Sequence, residues 1–182
     1  MYHQQVMARS YFEKIKFNKG SRHFRIFDDK GSDIISGILG ANLIAGRPFR
    51  CLAEDTMDDG SVCLEWVSLA RLYLNKEEID DENINCYTIH WKSLVDNWHP
   101  TDCYFTGPEK GHWYGDALLK DTQWPLEQST FNFSPFITGD HYNQQFGNAI
   151  KRYFLNSKGA AIKVNDQVPL YISMGANKKE QF

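Results

Sequence analysis

Over residues 61–74 apolar side chains fall on alternate positions: Val62, Leu64 and Trp66, then Ala70, Leu72 and Leu74. A period of two puts all six on one face of extended backbone. A helix would repeat its apolar stripe every three to four residues. Read as it stands, the stretch is one long strand laid on a core. Shorter runs carry the same signature. Residues 11–17 alternate with lysines outward, 18–21 turn, and His23 to Phe27 return before a polar break at 28–32, a hairpin pattern. Residues 33–44 are apolar but rich in small side chains; Gly37 and Gly40 argue against a helix and for an irregular strand with bulges.

Strands follow at 86–91, with Tyr87, Ile89 and Trp91 on one face, at 102–106 and at 134–138. A meander over 150–156, 160–164 and 168–174 has turns at 157–159 and 165–167. Roughly ten short strands with no strong amphipathic helix predict an all-β, antiparallel β-sandwich. The expected organisation is a disordered N-terminus at 1–10, one sandwich domain at 11–174 and a polar tail at 175–182.

Composition narrows the function classes. Aromatic residues make up 14 % of the chain, which suits strands, and a net charge of −3 supplies no basic field for nucleic acid or anionic membrane. No apolar run approaches the ~20 residues that span a bilayer, and the first ten residues lack the pattern of a signal peptide. The acidic stretches 54–59 and 77–82 lack EF-hand spacing and read as solvated loops. No phosphate loop, nucleophile elbow, zinc spacing or other cofactor motif occurs, so no metal and no cofactor is expected. Asn132-Phe133-Ser134 is an N-glycosylation sequon whose use the following Pro135 hinders.

Four cysteines stand at 51, 63, 86 and 103. Their spacing suits two loop-closing disulfides, for example Cys51 with Cys63 and Cys86 with Cys103. The competing reading is four buried thiols in a reducing compartment, which the lack of a signal sequence favours and the loop-closing spacing opposes.

The stretch 112–127 has neither helical nor strand periodicity, holds two tryptophans and is punctuated by Gly115 and Pro125. A long aromatic loop with spaced polar groups is what a sugar site uses: rings cover the apolar faces of a pyranose, while carboxylates and amides take its hydroxyls. The competing reading has Trp113 and Trp124 plugging the end of a β core. His112 reads as a surface or capping histidine rather than a general base. Asp116, Asp121 and Glu127 do not by themselves make a catalytic carboxylate pair.

Cys86-Tyr87, Trp91, Asp102-Cys103, His112-Trp113-Tyr114-Gly115 and Gln123-Trp124-Pro125 occur in an order that resembles glycoside hydrolase family 31, and within it the branch of the myogenesis-regulating glycosidase. Cys63-Leu64-Glu65-Trp66, Ala70-Arg71-Leu72-Tyr73 and the 151–173 meander are similar to that branch too. The resemblance covers roughly residues 45–174.

It implies a galactose-mutarotase-like sandwich that precedes a (β/α)8 barrel holding both catalytic aspartates of a retaining α-glycosidase. The substrate would be an α-galactoside or α-glucoside. The Tyr-Gly stretch would belong to a loop approaching that active site, with Trp113, Tyr114 and Asp116 on the face toward the carbohydrate. Trp124 and Pro125 would anchor the loop. Branch members are type II membrane glycoproteins of the secretory lumen, which would favour pairing Cys86 with Cys103 and also allow Cys51 with Cys63.

This chain departs from the pattern in ending before the barrel, in lacking a membrane anchor, and in reading Asp116-Ala117-Leu118 where Gly-Ala-Glu is expected. No residue here is therefore expected to be catalytic, and the chain alone is expected to be inactive. Its partners would be the missing barrel and, through the barrel-facing surface so exposed, a second copy of itself. The alternative is a free-standing carbohydrate-binding or protein-interaction sandwich.

Overall fold

The computed structural model describes residues 15–28, 30–44, 46–52, 61–77, 84–107, 109–119, 123–138 and 146–174. The expected disordered N-terminus, most of both acidic loops, Asp121 and the polar tail lie outside them. The architecture is all-β and antiparallel, the β-sandwich class read from the sequence, with thirteen strands among the described residues. The chain forms two compact units. One comprises Met1–Phe24 with Ile38–Asp102, the other Arg25–Gly37 with Cys103–Phe182.

In the first unit Ile15–Phe17 (β1) turns into the start of His23–Phe27 (β2). Asn18 shapes the turn: its Oδ1 accepts the N–H groups of Gly20 and Ser21 at 2.9 and 3.0 Å. The main sheet is Phe49–Arg50 (β4), Val62–Trp66 (β5), Ala70–Glu77 (β6) and Cys86–Ser93 (β7), in sequence order. The single long strand expected over 61–74 is thus a hairpin. Leu69 donates to the carbonyl of Trp66 at 2.9 Å, and Ser68 takes a left-handed φ of 56°.

Folding at residue 68 preserves the parity of the pattern. Val62 meets Leu74, Leu64 meets Leu72, and Trp66 meets Ala70. The two apolar stripes become cross-strand neighbours on one face. β7 extends that face, with Trp91 opposite Leu72 and Ile89 opposite Leu74. On the reverse face Cys63 pairs with Tyr73, and His90 stacks on Tyr73 at 5.6 Å.

Cys51 and Cys63 are disulfide-bonded, which ties the exit of β4 to β5. Neither Cys86 nor Cys103 is disulfide-bonded in the structure. Strand register aims Cys86 at Glu77, whose Oε2 accepts its thiol at 3.3 Å. Burial and this carboxylate push the Cys86 thiol above its ordinary pKa, which keeps it protonated.

In the second unit β2 continues into Asp33–Ile38 (β3) and then Cys103–Tyr104 (β8), adjacent in that order. The other strands are Trp113–Leu119 (β9), Phe131–Pro135 (β10), Phe146–Asn156 (β11), Ala160–Lys163 (β12) and Tyr171–Met174 (β13). They form two sheets, β12-β11-β9 and β10-β13. β11 and β12 turn at 157–159 as expected, with Gly159 at φ 84°.

The third strand of the expected meander goes elsewhere: β13 pairs with β10. Pro169 has no amide N–H to extend the β11–β12 ladder. The Arg152 guanidinium also holds the carbonyls of Asn165 and Val168, pinning the connection back on β11. Phe136, Phe154 and Met174 are core residues of this unit, and the two phenylalanine rings meet at 6.3 Å.

Candidate functional site

The stretch expected to be a loop opens as a strand. β9 runs antiparallel to β11: Trp113 faces Asn156, Tyr114 faces Leu155, Gly115 faces Phe154 and Asp116 faces Lys151. The register of β11 shifts between Lys151 and Phe154, and Gly115 sits beside that irregularity. Its φ is 114°, and a Cβ there would lie 2.4 Å from the Tyr153 carbonyl oxygen. Only glycine lets the two backbones approach in this way. Gly115 therefore lets β9 run past the shift with Trp113 and Tyr114 on opposite faces.

The inward residue is Trp113, 1 % exposed and edge-on to Tyr104 at 6.3 Å. The outward one is Tyr114, 37 % exposed beside Leu155 and near Tyr153 in the same sheet, both also exposed. After β9 the chain turns through 123–129 around a short 3-10 turn, Leu126–Gln128. Leu126 is fully buried, whereas Trp124 is 64 % exposed and joined to Pro125 by a cis peptide.

Strand parity turns Trp113 inward. Trp124 stays exposed, because Leu126 takes the buried place in its turn. Tyr114 stands on the exposed face of the sheet. The side chain of Asp116 lies outside the description, so only its place in β9 opposite Lys151 is known.

The turn is tied to β9 by Glu127. One carboxylate oxygen pairs with His112 Nδ1, and the other accepts the Trp113 N–H at 3.2 Å. Ser129, itself buried, accepts the Gln123 N–H at 3.0 Å and donates to the Gln123 carbonyl at 3.1 Å, closing the turn on itself. Ser157 secures the start of β9: its Oγ accepts the His112 N–H at 2.9 Å, and its N–H donates to the His112 carbonyl at 2.8 Å.

Glu127 and His112 are thus spent on holding backbone and each other. The sequence reading gave Leu126 and Ser129 no role and took Ser157 only as a turn residue. The apolar Leu126 after Pro125 was the one available signal, since single serines carry none. Chemically the site presents a tyrosine on a sheet and a tryptophan on a braced turn. These offer aromatic surface for packing rather than groups for acid–base work.

Comparison with known proteins places this geometry in context. No family model and no solved structure matches the chain. A stretch of 101 residues, 54 % of this chain, is 33 % identical to the myogenesis-regulating glycosidase of Mus musculus. A stretch of 119 residues, 64 % of this chain, is 27 % identical to the SITS-binding protein of Tetronarce californica. The matches cover 14 % and 17 % of those proteins, so the chain spans under a fifth of the length of the curated relatives it matches. It is related to a portion of a glycosidase-type protein.

Proposed function

We propose that this chain is the non-catalytic N-terminal β-sandwich of a family 31 α-glycosidase, and that its role is to shape a pocket whose catalytic aspartates lie in a neighbouring barrel. The observation that supports this most directly is the pair Tyr114 and Trp124. Both rings are exposed, and each sits on backbone braced from within: by buried Trp113 and the close approach at Gly115 for the strand, and by buried Leu126 and Ser129 with Glu127 for the turn. Rigid, outward aromatic side chains suit a surface that packs against a sugar or another domain.

The reaction of the complete protein would be hydrolysis of an α-galactoside or α-glucoside. The Cys51–Cys63 disulfide agrees with maturation in an oxidising secretory lumen. No helix of the described residues is long and apolar enough to cross a membrane, so a membrane anchor would lie outside them.

The test is turnover of aryl α-galactosides and α-glucosides by the purified 182-residue chain. No hydrolysis is expected, and measurable hydrolysis that survives repurification would overturn the proposal. A second reading, a free-standing carbohydrate-binding module, is favoured by the high exposure of Trp124. It predicts saturable quenching of tryptophan fluorescence by millimolar α-galactosides that Trp124→Ala abolishes. The pocket-shaping role predicts no saturation by the isolated chain.

A further inference from the structure

Asn132 opens the one N-glycosylation sequon of the chain, Asn132-Phe133-Ser134. From Phe133 to Phe136 the side chains alternate as a strand's should. Phe133 and Pro135 are exposed, Ser134 is half-buried and Phe136 is buried. Carried one residue back, that alternation would turn Asn132 inward. The ladder with β13 prevents it. Phe131 faces Met174 and Ser134 faces Ile172, so Asn132 and Phe133 together stand opposite Ser173 alone. The bulge shifts the phase of the strand, and Asn132 is exposed next to exposed Phe133.

The sequon is folded back on itself: Ser134 Oγ donates to the Asn132 carbonyl at 2.9 Å. No hydrogen bond engages the Asn132 side-chain amide among the described residues. Its nitrogen can therefore carry a large substituent without breaking a contact. The ground beside it is aromatic. Phe133 and Tyr171 stack at 5.4 Å with their ring planes 17° apart, and both are more than half exposed. Tyr171 stands across the ladder from Pro135, which shares the outer face with Phe133. Stacked rings at a surface offer a flat apolar area of the kind that covers one face of a pyranose.

We propose that Asn132 carries an N-linked glycan whose innermost sugar lies over the Phe133–Tyr171 pair. This rests on the lumenal maturation proposed above, because the compartment in which the Cys51–Cys63 bond forms is also the one in which such glycans are added. The donor is an oligosaccharide linked through a diphosphate to a lipid. Asn132 Nδ2 bonds to C1 of the first sugar as the C1–O bond to phosphate breaks. The lipid diphosphate leaves with the electron pair, and the nitrogen gives up one proton. Pro135 holds Ser134 in extended backbone, which slows transfer but leaves the sequon hydroxyl in place. Occupancy should accordingly be partial.

The experiment is expression of the full chain behind a cleavable secretory leader in a eukaryotic cell, followed by peptide mass spectrometry. A fraction of chains should carry a glycan at Asn132. Asn132→Gln and Ser134→Ala should each abolish that glycoform, the second with the asparagine still in place. Pro135→Ala should raise the occupied fraction. In chains trimmed to the first sugar, NMR should show cross-peaks from the sugar ring protons to the Phe133 and Tyr171 rings. Asn132 left wholly unmodified in chains whose Cys51–Cys63 bond has formed overturns the modification and leaves the lumenal reading standing. Unmodified chains with both cysteines reduced overturn the two together. Occupancy without the cross-peaks overturns the packing of the sugar on the aromatic pair. Hydrolysis by the isolated chain, which would overturn the pocket-shaping role, has no bearing on Asn132, so the two failures are told apart.

Discussion

Gly115 and Trp113 show how single residues hold the candidate site. Gly115→Ala forces a Cβ toward the Tyr153 carbonyl at a φ that L side chains rarely adopt. The strained backbone alone costs about 1–3 kcal/mol, and the contact is with main chain, which has little room to yield. Urea unfolding should show a loss in at least that range. Trp113→Ala removes a fully buried ring and should cost about 3–5 kcal/mol. Trp124→Ala removes a ring that is 64 % exposed and should stay within about 0.5 kcal/mol of the unaltered chain. Comparable losses for the two tryptophan variants would contradict the placement of Trp113 in the core and Trp124 at the surface. The sequence alone could not separate the two. Both tryptophans lie in one aromatic stretch; the side Trp113 faces depends on its pairing with Asn156, some forty residues further on, whereas Trp124 is exposed because Leu126 fills the buried place in the next turn.

At the scale of elements, what the sequence showed was periodicity, and what it hid was where strands turn and with whom they pair. The alternation over 61–74 was read correctly as period two, but its turn uses Val67, Ser68 and Leu69, without the glycine or asparagine that usually marks a left-handed position. The 157–159 turn, with Gly159, was legible for the opposite reason. The pairing of β13 with β10 joins segments separated by thirty-five residues, which no local pattern encodes. Among the cysteines, spacing found Cys51–Cys63, because the bonded pair sits at one ladder position where β4 leaves its partner β5 and Cys51 N–H donates to the Cys63 carbonyl at 3.2 Å. Closing a loop of this length contributes about 3 kcal/mol in the chain-entropy account. A Cys51→Ser, Cys63→Ser double variant should lose about that much. A reductant should lower the urea midpoint of the unaltered chain and leave the double variant unchanged, since Cys86 and Cys103 have no bond to reduce. An unaltered chain indifferent to reductant would show that the disulfide does not stabilise the fold.

For the molecule as a whole, the proposed neighbouring barrel would need a surface to pack on, and the exposed sheet face of the second unit offers one. On the open face of the β12-β11-β9 sheet, Tyr114 and Leu155 are cross-strand neighbours at 37 % and 46 % exposure, with Tyr153 two residues along β11 at 42 %. Their neighbours on that face include Lys151 and Lys163, which give the apolar row a charged margin. Such a row, placed on a regular sheet rather than scattered, is the kind of patch that packs against another domain or, in its absence, against a second copy. If the proposed barrel is the natural cover, the isolated chain should self-associate reversibly. Sedimentation velocity should then show a weight-average coefficient that rises with concentration over the micromolar range. Leu155→Lys places a charge in the centre of the row without touching the buried face of β11, so it should leave stability nearly unchanged while returning the chain to monomer. The control is Leu52→Lys, which alters an exposed leucine in the other unit at 66 % exposure and should not change the association. A chain that stays monomeric at all concentrations, or one whose association survives Leu155→Lys, would place the partner surface elsewhere.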